Sequence, residues 1–165
     1  MDAIQCLKTR RSVRAYKPGQ IDRDIIRDIV DCGRLAASAI NIQPWQFIAV
    51  TDPHAVAKIA NTTDHGKFMA SASCCIAVFC ENVKYYIEDG SAATQNILLA
   101  AHAHGLAGCW IAGDKKPYCP QIREMLGVPE TYTLVSLIAV GYADSVSSPA
   151  KKPVDEVLHW ETFNP

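Results

Sequence analysis

Apolar residues recur along the chain with periods that change from segment to segment. Ile21, Ile25, Ile26, Ile29 and Val30 fall at helical spacing, while Arg23, Asp24, Arg27, Asp28 and Asp31 cover the opposite face. With Asp22 as N-cap, this predicts an amphipathic helix from about residue 22 to 37. Trp45 to Thr51 reads as a short strand, closed by Asp52-Pro53, which opens a short helix near His54 to Ala60. Ser73 to Cys80 is a second, wholly apolar strand. Ser91 to His104 carries apolar residues on nearly all sides and ends at Gly105 as a C-cap, so it must be buried, a partner chain being one surface able to cover it. Ala107 to Ala112 and Tyr132 to Tyr142 are further strands. A helical stretch around Pro120 to Leu126, stopped at Gly127-Val128-Pro129, lies between them. Ser145 to Lys152 reads as a loop before a short tail. Helices and strands alternate imperfectly, which predicts an α+β fold.

Composition narrows the picture. A chain of 165 residues, 49% hydrophobic and 20% charged, suits one domain over residues 1–165. A net charge of -1 gives no global positive field to draw nucleic acid or an anionic membrane, so anion binding has to be local. Seven cysteines, an odd number without a C-x-x-C pair, read as free thiols in a reducing compartment. The opening residues meet charge by Lys8, and no apolar run approaches about 18 residues. The expectation is a soluble, cytoplasmic protein.

Positive charge is concentrated at the start, where Lys8, Arg10, Arg11, Arg14 and Lys17 face Asp2 alone. In Arg10-Arg11-Ser12-Val13-Arg14, guanidinium forks, the Ser12 hydroxyl and nearby N–H groups can surround a phosphate. The same residues would also serve as a solvated basic turn complementing the C-terminal dipole of a first helix. Between Ala36 and Trp45, small residues and the amides Asn41 and Gln43 could meet the edge of a heteroaromatic ring, or simply cap a helix-to-strand connection. The glycines from Gly105 to Gly113 follow a helix and precede a strand, the reverse of the Rossmann order, so no dinucleotide fingerprint is read there.

Taken in order, Arg10-Arg11-Ser12-Val13-Arg14, Ser38-Ala39 with Asn41-x-Gln43-Pro44-Trp45, Gly105 to Gly113 with Cys109-Trp110-Ile111, and the tail from Lys151 to Trp160 make the chain similar to the nitroreductase family of FMN enzymes. The resemblance implies a central, mostly antiparallel sheet flanked by helices in an intertwined homodimer, with FMN at the subunit interface. It places Arg10, Arg11, Ser12 and Arg14 on phosphate, ribityl and pyrimidine edge, with Lys151 or Lys152 adding charge at the phosphate. Ser38, Ala39 and Asn41 would come from the second subunit, and the backbone of Trp110, Ile111, Ala112 and Gly113 would pass the flavin ring. A polar residue between the second helix and the second strand also reaches the flavin in this family, for which Lys67, with His65 beside it, stands nearest.

The implied activity is ping-pong oxidoreduction, with hydride passing from NAD(P)H to the flavin and then to a nitroaromatic, quinone or similar acceptor. No side chain is nominated as a catalytic acid, base or nucleophile. Only about twenty residues separate Glu81 from the end of the buried helix, leaving little room for an inserted lid. His102 and His104 flank Ala103 on a helix and point to different faces, so no metal site is expected. Cys74-Cys75 reads as inert buried thiols, while Cys109 falls near the flavin by position. Phe68, Tyr85 and Tyr86 are as readily core residues as acceptor contacts. The rival reading from another class is a non-enzymatic FMN store or redox-sensing module.

Overall fold

The computed structural model describes residues 1–164. Its helices and strands follow in the order α1 (Ala3–Thr9), β1 (Tyr16–Lys17), α2 (Arg23–Arg34), β2 (Trp45–Val50), α3 (Pro53–Thr62), β3 (Cys74–Glu81), α4 (Tyr86–Ala103), β4 (Ala107–Ala112), α5 (Cys119–Met125) and β5 (Tyr132–Ala143). β5 pairs with β3 along one edge and with β4 along the other, β2 flanks β3, and β1 caps the end of β5. Every strand pair is antiparallel, and the isolated bridge between Ser12 and Gly108 is parallel.

β3 is apolar throughout because both of its faces are covered. Alternation sends Cys75, Ala77 and Phe79 into a cluster with Val56, Ile59 and Ile122 of α3 and α5, while Cys74, Ile76, Val78 and Cys80 meet Ile26, Ile29, Ala93 and Ile97 of α2 and α4. On β5 the alternation slips. Val78 is opposite Ser136 but Phe79 is opposite Leu134, so Val135 is an extra residue. This bulge turns both Val135 and Ser136 towards α4, where the Ser136 hydroxyl meets Thr94 at 2.7 Å and Val135 packs on Gly90. It also leaves the Leu134 and Val135 carbonyls free to accept from Asp114 and Gly113 at the end of β4. A Cβ on Gly113 would lie 2.3 Å from the Leu134 oxygen, so only glycine fits there.

Two element boundaries differ from expectation by more than two residues. α2 stops at Arg34 instead of continuing to 37, because the chain turns away at Leu35 and Ala36 closes back on Gly33. α4 begins at Tyr86, five residues before Ser91. Gly90 suggests a break, yet it lies inside the helix because a side chain there would strike Val135 and Cys80. Glu88 and Asp89 in the first turn favour the positive end of the helix dipole. At the other end Leu106 N–H reaches Ala101 O and Gly105 takes φ +75, a glycine-dependent stop. The burial that α4 demands comes largely from its own chain, through the sheet and α2. No described helix is long and apolar enough to cross a membrane.

Candidate functional site

The basic segment is docked on the sheet. Val13 N–H donates to Gly108 O at 3.2 Å, Ser12 bridges the same glycine, and Val13 is buried. In extended chain a period of two then turns Arg10, Ser12 and Arg14 away from the core that Val13 enters. Arg10 and Arg11 line a pocket of about 230 Å³ with His102, Gly105, Ala107 and Gly108. No carboxylate lines it among the described residues. Within this region Arg10 Nη1 is buried without a hydrogen-bond partner, an unmatched cationic donor of the kind an anion satisfies. Arg11 spends its donors nearby, Nη1 on the Lys8 and Arg10 carbonyls and Nε on the Ser148 hydroxyl at 3.0 Å, so it ties the tail to the pocket.

β4 carries this line onward. Because Gly108 turns its carbonyl to Val13, the alternating ladder directs the backbone groups of Trp110 and Ala112 to the same outer edge. Ala112 O accepts the Tyr118 hydroxyl, and Trp110 is exposed. Ile111 points into the core, and Gly113 is pinned by the bulge. Beside this edge a second cleft of about 180 Å³ is lined by Arg14, His65, Phe68, Trp110 and Tyr118. The Arg14 guanidinium sits 5.8 Å from the Phe68 ring centroid, within cation–π range. Lys116 and Asp64 close the rim at 3.7 Å. Lys67 lies at the start of the 3-10 turn Lys67–Ser71 and is exposed outside this cleft. His65, two residues earlier, is the residue of that pair that reaches it.

Ser38, Ala39 and Asn41 lie elsewhere. Their turn places Ile40, Asn41 and Gln43 in left-handed backbone at φ 48, 59 and 52. It is held by the Ser38 hydroxyl, which accepts from Gln43 N–H, and by Asp89, whose carboxylate accepts from Ala39 N–H at 2.9 Å. Asp89 stands at the opening of α4 and His102, beside Arg10, at its close. At 1.5 Å per residue the turn and the arginine pocket are therefore roughly 20 Å apart within one chain. Lys151 and Lys152 lie on the exposed tail and line neither cleft.

Burial pushes the Cys109 thiol up, opposed by Arg14, Arg10 and a hydrogen bond from Ser12, so the group beside the arginines stays a thiol rather than a nucleophilic thiolate. Burial also pushes Tyr118 up to about 12. The hydrogen bond to Asp114 at 2.6 Å does the same to Tyr86, up to about 12. Three residues of this region carried no local sequence signal. Tyr118 is far along the chain from the Arg14, His65 and Phe68 it joins at the cleft, His102 read only as half of a poor metal pair, and Asp89 lay outside the predicted helix. Among the described residues no three His, Cys, Asp or Glu groups gather as metal ligands.

An extended basic segment docked beside the outer edge of β4 in an α+β fold sets a cationic, carboxylate-free pocket against a strand edge, and comparison with known proteins gives the chain a family. The model of the nitroreductase family matches residues 7–64 and 83–142. A protein of Archaeoglobus fulgidus with the provisional name NADH dehydrogenase/NAD(P)H nitroreductase is 37% identical, covering 98% of this chain and 94% of its own. A protein of the same provisional name from Methanothermobacter thermautotrophicus is 32% identical over 93% of this chain and 80% of its own. The solved FMN-dependent nitroreductase of Clostridium difficile superposes with a TM-score of 0.89 at 30% identity, over 97% of this chain and 99% of that one. The chain belongs to the nitroreductase family and is an oxidoreductase, as the opening motifs led one to expect.

Proposed function

We propose that this protein is an FMN-dependent NAD(P)H oxidoreductase that reduces a nitroaromatic, quinone or similar acceptor by a ping-pong mechanism. The observation that carries the cofactor is Arg10 Nη1, a buried cationic donor without a partner at a carboxylate-free pocket. Its setting fits a phosphate monoester, and the ring of the same ligand would extend along the outer edge of β4. Bound there, FMN supplies a centre that accepts hydride and passes electrons onward.

The chain's own part is to bind and to orient. Arg10 and Ser12 hold the phosphate and ribityl end, with Arg11, whose Nε and Nη1 are spent on Ser148 and local carbonyls, adding its charge beside them and Lys151 or Lys152 brought in by the tail. Arg14, fixed over Phe68, addresses the pyrimidine edge and offers positive charge where the reduced ring gains negative charge. The outward backbone of Trp110 and Ala112 meets the ring edge, and Gly113 sets where that strand ends. Lys67 stays a more distant candidate than His65.

Ser38, Ala39 and Asn41 act across a homodimer in this reading. Their distance from Arg10 in one chain supports it, as does the exposure of Leu35, Ile40 and Ile42 around that turn and of Trp160 and Phe163 on the tail. A reducing, cytoplasmic setting agrees with seven unpaired thiols. Steady-state oxidation of NADH or NADPH by FMN-loaded protein, with a nitroaromatic and a quinone as separate acceptors, tests the activity. Parallel double-reciprocal lines are expected, and FMN binding without turnover on any acceptor would favour a storage or sensing role instead.

A further inference from the structure

The pocket that carries Arg10 contains a histidine with a defined proton arrangement. His102 Nε2 lies 2.8 Å from the Thr9 hydroxyl, and that hydroxyl lies 2.7 Å from the Gln5 carbonyl. A carbonyl only accepts, so Thr9 gives its single proton to Gln5 and must accept from His102. The network therefore assigns the ring proton to Nε2 and leaves Nδ1 with its lone pair, unbonded among the described residues.

The surroundings keep that ring uncharged. From α1 and its exit come Thr9 and the two guanidinium groups of Arg10 and Arg11, with Met1 at the rim. From β4 and the turn before it come only Gly105, Leu106, Ala107 and Gly108, and from the tail Val146. His104, two residues on, faces the other way to Asp28 at 2.6 Å. Burial first, then Arg10 and Arg11, hold His102 below its ordinary value. A dianion seated between the arginines and the ring would cancel both charges and add its own attraction for an imidazolium.

Resting on the FMN reading above, we propose that His102 is a proton-gated ligand of the phosphate pocket: it takes up a proton at Nδ1 when a phosphate monoester dianion binds against Arg10, so that cofactor binding is coupled to proton uptake. The proton comes from solvent and no bond to carbon or phosphorus changes. Neutral His102 contributes one donor, spent on Thr9. Protonated, it adds a second donor and a charge to a site whose other cations are permanent.

Calorimetric titration of the apoprotein at about pH 7.5, in two buffers of different ionisation enthalpy, counts the protons. Free FMN phosphate is mostly dianionic there, its second ionisation lying at about pH 6, so binding to arginine alone releases protons and the sign discriminates. The wild type is expected to take up a substantial fraction of a proton with FMN and none with riboflavin. His102→Gln, which retains an amide donor for Thr9, should lose the uptake. The ratio of wild-type to H102Q affinity for FMN should rise roughly fivefold on going from pH 8 to pH 6 if bound phosphate strengthens the ring's hold on its proton about tenfold, since the free ring is only partly protonated at pH 6. Proton release by the wild type, or equal uptake by both proteins, overturns the proposal while leaving the flavin reading intact. If neither FMN nor riboflavin binds, the flavin reading fails. Inorganic phosphate then decides the histidine, with His102-dependent uptake supporting it and its absence refuting it.

Discussion

Val13 gives its backbone N–H to Gly108, and this one bond joins the two segments on which the site depends. It sets the face on which Arg10, Ser12 and Arg14 emerge, and it commits the outward-facing groups of β4 to the same edge. The phosphate end and the ring end of the proposed cofactor are thus placed by a single register between segments far apart in the chain.

Arg10→Ala removes the buried donor that lacks a partner. Loss of a charge-assisted hydrogen bond is worth about 1.5–3 kcal/mol, so FMN affinity should fall by roughly 10- to 100-fold. Riboflavin affinity, measured by the same quenching of flavin fluorescence, should be unchanged. A similar loss for both ligands would place Arg10 away from the phosphate.

Gly113→Ala would force a methyl group against the Leu134 and Val135 backbone at the β5 bulge. Backbone cannot swing aside as a side-chain tip can, so a destabilisation on the order of 2–4 kcal/mol is expected in thermal unfolding. Gly108→Ala meets only the end of Leu98 and should cost less. Equal effects of the two would contradict the strand-end geometry.

Thr94 and Ser136 share a hydrogen bond in the core, and Thr94 also donates to Gly90 O at 2.7 Å. With that proton committed to Gly90, Ser136 is the donor to Thr94. Thr94→Val leaves the Ser136 hydroxyl buried alone, at about 1–3 kcal/mol. The double variant with Ser136→Ala should be less destabilised than the sum of the two single changes, by chemical denaturation. Additivity would mean that the pair is not coupled.

The fold and its boundaries are legible where periodicity and caps agree. Ile21 to Val30 mark α2, Asp52-Pro53 mark α3, and the wholly apolar β3 announces a central strand. Two things are hidden. The bulge at Val135 leaves no mark in an apolar run, and Gly90 looks like a break until Val135 is seen against it. At the site, the basic cluster of Arg10, Arg11, Ser12 and Arg14 can be read from the sequence as an anion site, whereas its alternation appears only once the Val13–Gly108 bond shows the segment extended. Tyr118 and His102 cannot, since tertiary packing alone brings them to β4 and to Arg10. Arg11 reads as a phosphate ligand, and its bonds to Lys8, Arg10 and Ser148 show a side chain already occupied with local structure.

Buried thiols give a pH dependence of known sign. Burial pushes Cys74 and Cys80 up to about 12, whereas an unfolded thiol ionises at about 8.5. A raised native value means the stability is complete below the unfolded value and is lost as pH climbs towards the native one. The melting temperature should therefore hold up to about pH 8 and fall steadily above it. In the same range, native protein should resist thiol reagents at Cys74, Cys75 and Cys80, as mass spectrometry of the labelled chain would report.

The most direct test of the account is the visible spectrum of the protein loaded with FMN, followed anaerobically as NADH or NADPH is added in separate cuvettes. A protein-bound flavin spectrum that bleaches with either nucleotide, and returns when a quinone or nitroaromatic is supplied, is the predicted result. A protein that binds no flavin, or holds FMN that neither nucleotide reduces, would contradict it.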